Sequence, residues 1–233
     1  MKNGSEFKKG IKDGVPIGLG YLSVAVGIGI AAINSGLNAI TATLISMTNL
    51  TSAGQAAGIS LIVAGGSLLE MALVQLVINL RYSLMAISLS QRLDESFTTK
   101  KRLFCGAFIT DEIFAVASGQ DKVSPEYMYG LAIAPYIGWA AGTAIGASAG
   151  TFLPAPVTSA LGLALYGMFI AIIIPALRQS SGVALTVLLA ALFSTLLHFL
   201  PCFSWISYGF SIIVASVLAA GIAAWVSYRR RRA

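Results

Sequence analysis

Four charged side chains stand inside or at the start of long apolar runs of this sequence: Glu70, Arg81, Asp111 and Glu112. A charge at the centre of a bilayer costs about 2.5–3.5 kcal/mol on insertion scales, so such residues face a bundle interior, water or one another. Arg81 lies in Asn79-Leu80-Arg81-Tyr82-Ser83-Leu84-Met85. Its charge is permanent and its planar fork suits a carboxylate. Asp111 and Glu112 lie in Thr110-Asp111-Glu112-Ile113-Phe114. Neighbours on a helix point about 100° apart, so one of the two faces a path while the other caps or sits near an interface. Pairing Arg81 with one of them is the simplest reading. The plainer alternatives are an Arg81 that snorkels to an interface, a purely structural ion pair, and a Glu70 that only starts a helix. The candidates for substrate binding or coupling are therefore Arg81, Asp111 and Glu112, with the polar neighbours Asn79 and Thr110 and the isolated Thr51 and Gln55.

Other chemistries lack their residues. There is no His-Glu-x-x-His, no phosphate-binding Gly-Lys-Ser/Thr loop and no dinucleotide fingerprint followed by an acidic residue. His198 is the single histidine, with no marked partner for an intramembrane serine protease. Cys105 and Cys202 stand apart in apolar surroundings, without metal-ligand spacing. No enzymatic activity, metal or cofactor is expected.

The elements that carry these residues follow from composition. With 233 residues, 57% hydrophobic and 10% charged, the chain has too little polar surface for a soluble globule of its size. The expected fold is an all-α polytopic bundle forming one transmembrane domain over 1–233. Apolar stretches read as spans over Gly14–Asn34, Ser67–Ser90, Leu103–Gly119, Tyr127–Gly150, Val157–Leu177, Val183–Leu200 and Ile206–Tyr228. An eighth, Ala39–Ala64, is interrupted by Asn49, Thr51, Ser52, Gly54 and Gln55, which suggests a broken helix facing protein or a wet cavity. The net charge of +6 comes from the flanks of apolar runs, namely the N-terminal lysines, Lys100-Lys101-Arg102 and Arg229 to Arg232. The positive-inside rule accounts for these, so nucleic acid is not an expected partner. The first long segment lacks the form of a removable signal peptide.

A constant offset of 92 residues aligns 14–85 with 106–177 without a gap, bringing Thr51 onto Thr143 and Gly54 onto Gly146. The expected organisation is repeat one over 14–90, repeat two over 103–177 and a C-terminal helical hairpin over 183–228. Weak internal symmetry of this kind marks many secondary transporters, with sites at the repeat interface. Helix ends near Thr51–Gln55 and Thr143–Gly146 would offer backbone N–H groups to a substrate carboxylate. If every element crosses, the repeats are inverted and only the basic loop Arg92–Arg102 violates the charge rule. If Ala39–Ala64 and its counterpart 131–156 are re-entrant, that loop is cytoplasmic and all basic segments comply. Both readings leave both termini cytoplasmic.

On these residues the chain resembles the AzlC family, the large subunit of bacterial branched-chain amino acid exporters. The similar stretches are Gly14-Val15-Pro16-Ile17-Gly18-Leu19-Gly20, Asn79 to Met85, Thr110-Asp111-Glu112-Ile113-Phe114-Ala115 and Leu196-Leu197-His198. The resemblance implies a permease of the bacterial inner membrane exporting leucine, isoleucine and valine, with methionine as a further substrate, together with a small AzlD-type membrane subunit. Where the family has an aromatic-flanked Ala-Gly-Ser-Ala-Gln segment, this chain reads Asn49-Leu50-Thr51-Ser52-Ala53-Gly54-Gln55, which keeps Gln55 but loses the aromatic. A channel or a structural membrane subunit for another small solute is the alternative.

Overall fold

The computed structural model describes residues 2–150 and 180–232 and only scattered positions between. The expected span Val157–Leu177 therefore lies mostly outside the described residues. The described chain is all-α, with α1 Lys2–Asn34, α2 Ala39–Thr48, α3 Ser52–Val63, α4 Leu68–Ser90, α5 Thr99–Gly106, α6 Asp111–Ser118, α7 Pro125–Ala149, α8 Ser181–Phe199 and α9 Tyr208–Arg232. Five of these helices, α1, α4, α7, α8 and α9, are long and apolar enough to cross a membrane. The fold is that of a polytopic membrane protein. Local signals end the helices: Ser124 caps α7, accepting from the Tyr127 amide at 3.2 Å, with Pro125 in its first turn. Gly36 and Gly65 take left-handed φ values of 92° and 68° just past α1 and α3, where a side chain would strain the turn.

The chain forms two units, residues 1–56 with 79–162, and residues 57–78 with 163–233. The first is built on α1 and α7. A Cβ placed on Gly10, Gly14, Gly18 or Gly29 would overlap the backbone at Tyr127, Leu131, Ala134 or Thr143, and one on Gly138, Gly142 or Gly146 would overlap Gly18, Leu22 or Val26. The positions rise together along both helices, so α1 and α7 run parallel with their backbones in contact. Glycine permits that approach, and packing by small residues is how apolar helices associate where lipid offers no hydrophobic drive.

Two broken segments lie against this pair. α2 descends α7 in the opposite sense: Ala39 and Ser148 line one cavity, Ser46 meets Thr143, and the Tyr136 hydroxyl donates to the Met47 carbonyl at 3.2 Å. α5 ascends α7 from the other end, with Phe104 against Tyr129 at 5.6 Å and Phe108 against Tyr136 at 5.5 Å between ring centroids. α6 then returns along α1, from Tyr21 beside Thr110 back to Lys9, whose Nζ donates to Gln120 Oε1 at 2.6 Å. The expected single crossing Leu103–Gly119 is thus a hairpin of two eight-residue helices, each only about 12 Å long, that enters and leaves at one end of the unit. Arg92, which donates to the Gln120 carbonyl at 3.2 Å, and Val123, whose amide donates to the Arg92 carbonyl at 2.9 Å, close the base of that hairpin. The basic loop Arg92–Arg102 accordingly shares an end with N-terminal Lys9, contrary to the reading in which every element crosses. The rival reading also needs amending: α7 is continuous through 131–149, and the in-and-out element is α5–α6.

In the second unit α8 and α9 pack antiparallel, with Gly182 close to Ser227. Glu70, 4% exposed in the first turn of α4, ties that helix to the start of α9. Its Oε1 accepts from the Ser207 hydroxyl and from the Gly209 and Phe210 amides, the latter two at 2.8 and 3.3 Å. A carboxylate there meets the free amides and positive end of a helix. Glu70 does start a helix, and it also caps another.

Candidate functional site

The tips of the two broken segments reach α1 and α7 near their midpoints, on either side of the Tyr21–Trp139 contact. At the α5–α6 tip, Thr110 caps α6 by accepting from the Ile113 amide at 3.4 Å, which puts Asp111 and Glu112 in the first turn of that helix. These carboxylates therefore stand at the positive end of a short helix, not inside a continuous span as the sequence suggested. Arg81, reaching from α4, pairs with Asp111: Nη1 lies 3.1 Å from Oδ1 and 2.9 Å from Oδ2, and each side chain is 41% exposed. Its Nη2 donates to the Tyr82 hydroxyl at 3.1 Å. Asn79, two positions earlier, lies about 200° round the helix and does not share Arg81's face.

Tyr21 of α1 joins Glu112 to this cluster. Its hydroxyl donates to Glu112 and lies 2.7 Å from Thr110 Oγ1. Its ring meets Trp139 of α7 edge-on, with centroids 5.5 Å apart. Both carboxylates of Asp111-Glu112 are consequently engaged, one by a guanidinium and one by a phenol.

On the other side of Trp139 is the α2–α3 break. Thr51 caps α3, accepting from the Gly54 amide at 3.3 Å, and its carbonyl accepts from the Gln55 amide at 2.8 Å. Gln55 is fully buried with Ser46 and Thr143. Gln55 Oε1 accepts from Ser46 Oγ at 3.0 Å and from Trp139 Nε1 at 2.9 Å, while the Ser46 and Thr143 hydroxyls are 2.5 Å apart. Thr143 enters as a side chain of a continuous helix. The expected helix end at Thr143–Gly146 does not exist, because α7 runs to Ala149 and those amides lie within it.

The family described as AzlC protein matches residues 16–153, a segment that contains every one of these side chains. This chain belongs to the AzlC family. It is 29% identical over 205 residues to the inner membrane protein YgaZ of Escherichia coli, covering 84% of this chain and 83% of that one. It is 30% identical over 181 residues to an uncharacterized membrane protein of Archaeoglobus fulgidus, covering 76% and 79% respectively. An uncharacterized membrane protein of Helicobacter pylori is 26% identical over 206 residues, covering 82% of this chain and 89% of its own length. No solved structure matches.

Of the residues expected at the site in this AzlC-family chain, the structure brings Arg81, Asp111, Glu112 and Thr110 into one cluster. It puts Gln55 and Thr51 at the other break. Sequence reasoning missed Tyr21, Trp139 and Ser46. Aromatic residues in apolar runs ordinarily read as packing or interface anchors, and no local spacing links 21 to 110–112.

Proposed function

We propose that this protein is a secondary transporter that exports branched-chain amino acids, leucine, isoleucine and valine with methionine as a further substrate, across a bacterial cytoplasmic membrane by alternating access. The observation that carries the reading is the Arg81–Asp111 pair beside the Tyr21–Glu112 contact, at the place where two helix breaks converge inside an apolar bundle. Charges kept at such depth mark substrate and ion pathways. Broken helices are tolerated there when they line a cavity.

In this mechanism the carboxylates serve the substrate ammonium or a coupling proton. Arg81 pairs with Asp111 when the path is empty, and the Tyr21 hydroxyl donates to Glu112. Binding of a cation or proton at either carboxylate weakens its present partner and frees the α5–α6 tip to move. The partner in this reading is a small AzlD-type membrane subunit, as the resemblance implies. The positive-inside rule supports a cytoplasmic end carrying the N-terminal lysines and the loop Arg92–Arg102, and a cytoplasmic Arg229–Arg232 tail.

Counterflow of radiolabelled leucine in proteoliposomes, with and without the small subunit and against a panel of amino acids, tests the proposal. Saturable counterflow that favours branched side chains is expected. No counterflow in either arm, or a flux that neither saturates nor responds to a gradient, would replace transport by a structural role or a channel.

A further inference from the structure

We propose that the side-chain amide of Gln55, together with the first turn of α3, is the subsite for the carboxylate of the transported amino acid, and that Trp139 sets its polarity. The inference rests on the transport reading above and assigns one end of the substrate. Arg81, the usual carboxylate partner, is already engaged by Asp111 and Tyr82. The carboxylate therefore needs other donors.

Gln55 supplies them. Its Oε1 receives two hydrogen bonds, but its Nε2 is buried and has no hydrogen-bond partner among the described residues. Turning the amide over does not repair this. The indole Nε1–H of Trp139 is a donor only, so the oxygen must face it and the two N–H groups must point elsewhere. A buried donor left without a partner costs about 1–3 kcal/mol, and such a group calls for an explanation. The surroundings suit an anion: Gln55 is in the first turn of the twelve-residue helix α3. Thr51 serves the Gly54 and Gln55 amides, which leaves those of Ser52 and Ala53 without a partner inside the helix. The positive helix end, two free side-chain protons and two backbone amides together describe a carboxylate site. The Ser46 hydroxyl is oriented toward Gln55 Oε1, and Thr143 backs it, so the cluster holds the amide in one pose.

The test uses the full chain, purified and reconstituted, with L-leucine, leucinol, which lacks the carboxylate, and isocaproate, which lacks the amine, as competing ligands. Gln55→Glu at mildly alkaline pH keeps acceptors for Ser46 and Trp139 while replacing the two donors by an acceptor. Leucine and isocaproate should weaken roughly 10- to 100-fold, the worth of a hydrogen bond to a charged group, with leucinol competing as in wild type. Trp139→Phe keeps the ring against Tyr21 but lets the amide turn. It should raise the KM for leucine more than it lowers kcat. Should Gln55→Glu fail to fold, Trp139→Phe decides alone. If the folded variants keep the wild-type preference for leucine over leucinol, the subsite is wrong while transport stands. If wild type neither binds nor counterflows leucine, the transport reading fails first and this one with it.

Discussion

If Arg81 and Asp111 were only a structural clamp, removing both charges together would be mild; if they serve the transport path, it would abolish export. The pair is 41% exposed on each side, between a surface ion pair and a buried one. Exposed pairs contribute about 0–1 kcal/mol, and breaking a fully buried pair costs about 3–5 kcal/mol. Arg81→Gln or Asp111→Asn alone should therefore destabilise by roughly 1–3 kcal/mol, because each leaves a partly desolvated charge without its partner. The double variant removes both charges and should regain most of that loss. Thermal unfolding in detergent gives the four corners of the cycle, and leucine counterflow in the same preparations gives activity. The expected outcome is a double variant close to wild type in stability and without export. Wild-type export from the double variant would refute the assignment of these charges to the path and leave them a structural pair.

Tyr21→Phe deletes the hydroxyl shared by Glu112 and Thr110, and should cost about 1 kcal/mol in stability while lowering leucine export at least tenfold, read by counterflow. Glycine-to-alanine changes should have opposite signs along α1 and α7. Gly138→Ala drives a methyl into the Gly18 backbone and should cost about 2 kcal/mol or more, whereas Gly20→Ala meets nothing within 4 Å and should stabilise by about 0.5–1 kcal/mol, both read from melting temperatures. Lys101→Cys, on the basic loop that shares an end with Lys9, should react with a membrane-impermeant thiol reagent only after cells are permeabilised. Labelling in intact cells would move that loop, and the end it shares with Lys9, outside and overturn the cytoplasmic assignment of both.

The long helices were legible because twenty or so apolar residues between charged flanks admit few other structures. The α5–α6 hairpin was not, since Leu103–Gly119 has nearly the length and the composition of a span. Its signal was nevertheless present. Thr110 followed by Asp111 and Glu112 is a cap with an acidic first turn, and read as such it starts a helix at that point. The break at Asn49–Thr51 was legible from its polar run, because capping residues favour turns over helix interiors. The Arg81–Asp111 pairing followed from charge economy in an apolar chain. Glu112's partner did not, since a phenol on a distant helix carries no charge to search for. The offset of 92 residues pointed to Thr143 through Thr51, yet the hydroxyl that Thr143 meets belongs to Ser46. Parallel packing of α1 and α7 depends on which glycines face which backbone, and a list of small residues cannot give that.

The parallel union of α1 and α7 also dictates an order of events during synthesis. Gly18 and Gly138 lie 120 positions apart, so the groove on α1 has no partner until about three-fifths of the chain has been made. At about 5–20 residues per second that wait is roughly 6–24 s. During it α1 stands in lipid with its glycine face bare, while α2 to α6 are inserted before α7 has arrived. The last step of assembly in this half of the protein is then the docking of a finished helix into a groove prepared much earlier. Mutations in that groove should act by trapping an inserted but unassembled chain, which proteases would remove, as well as by loosening a finished one.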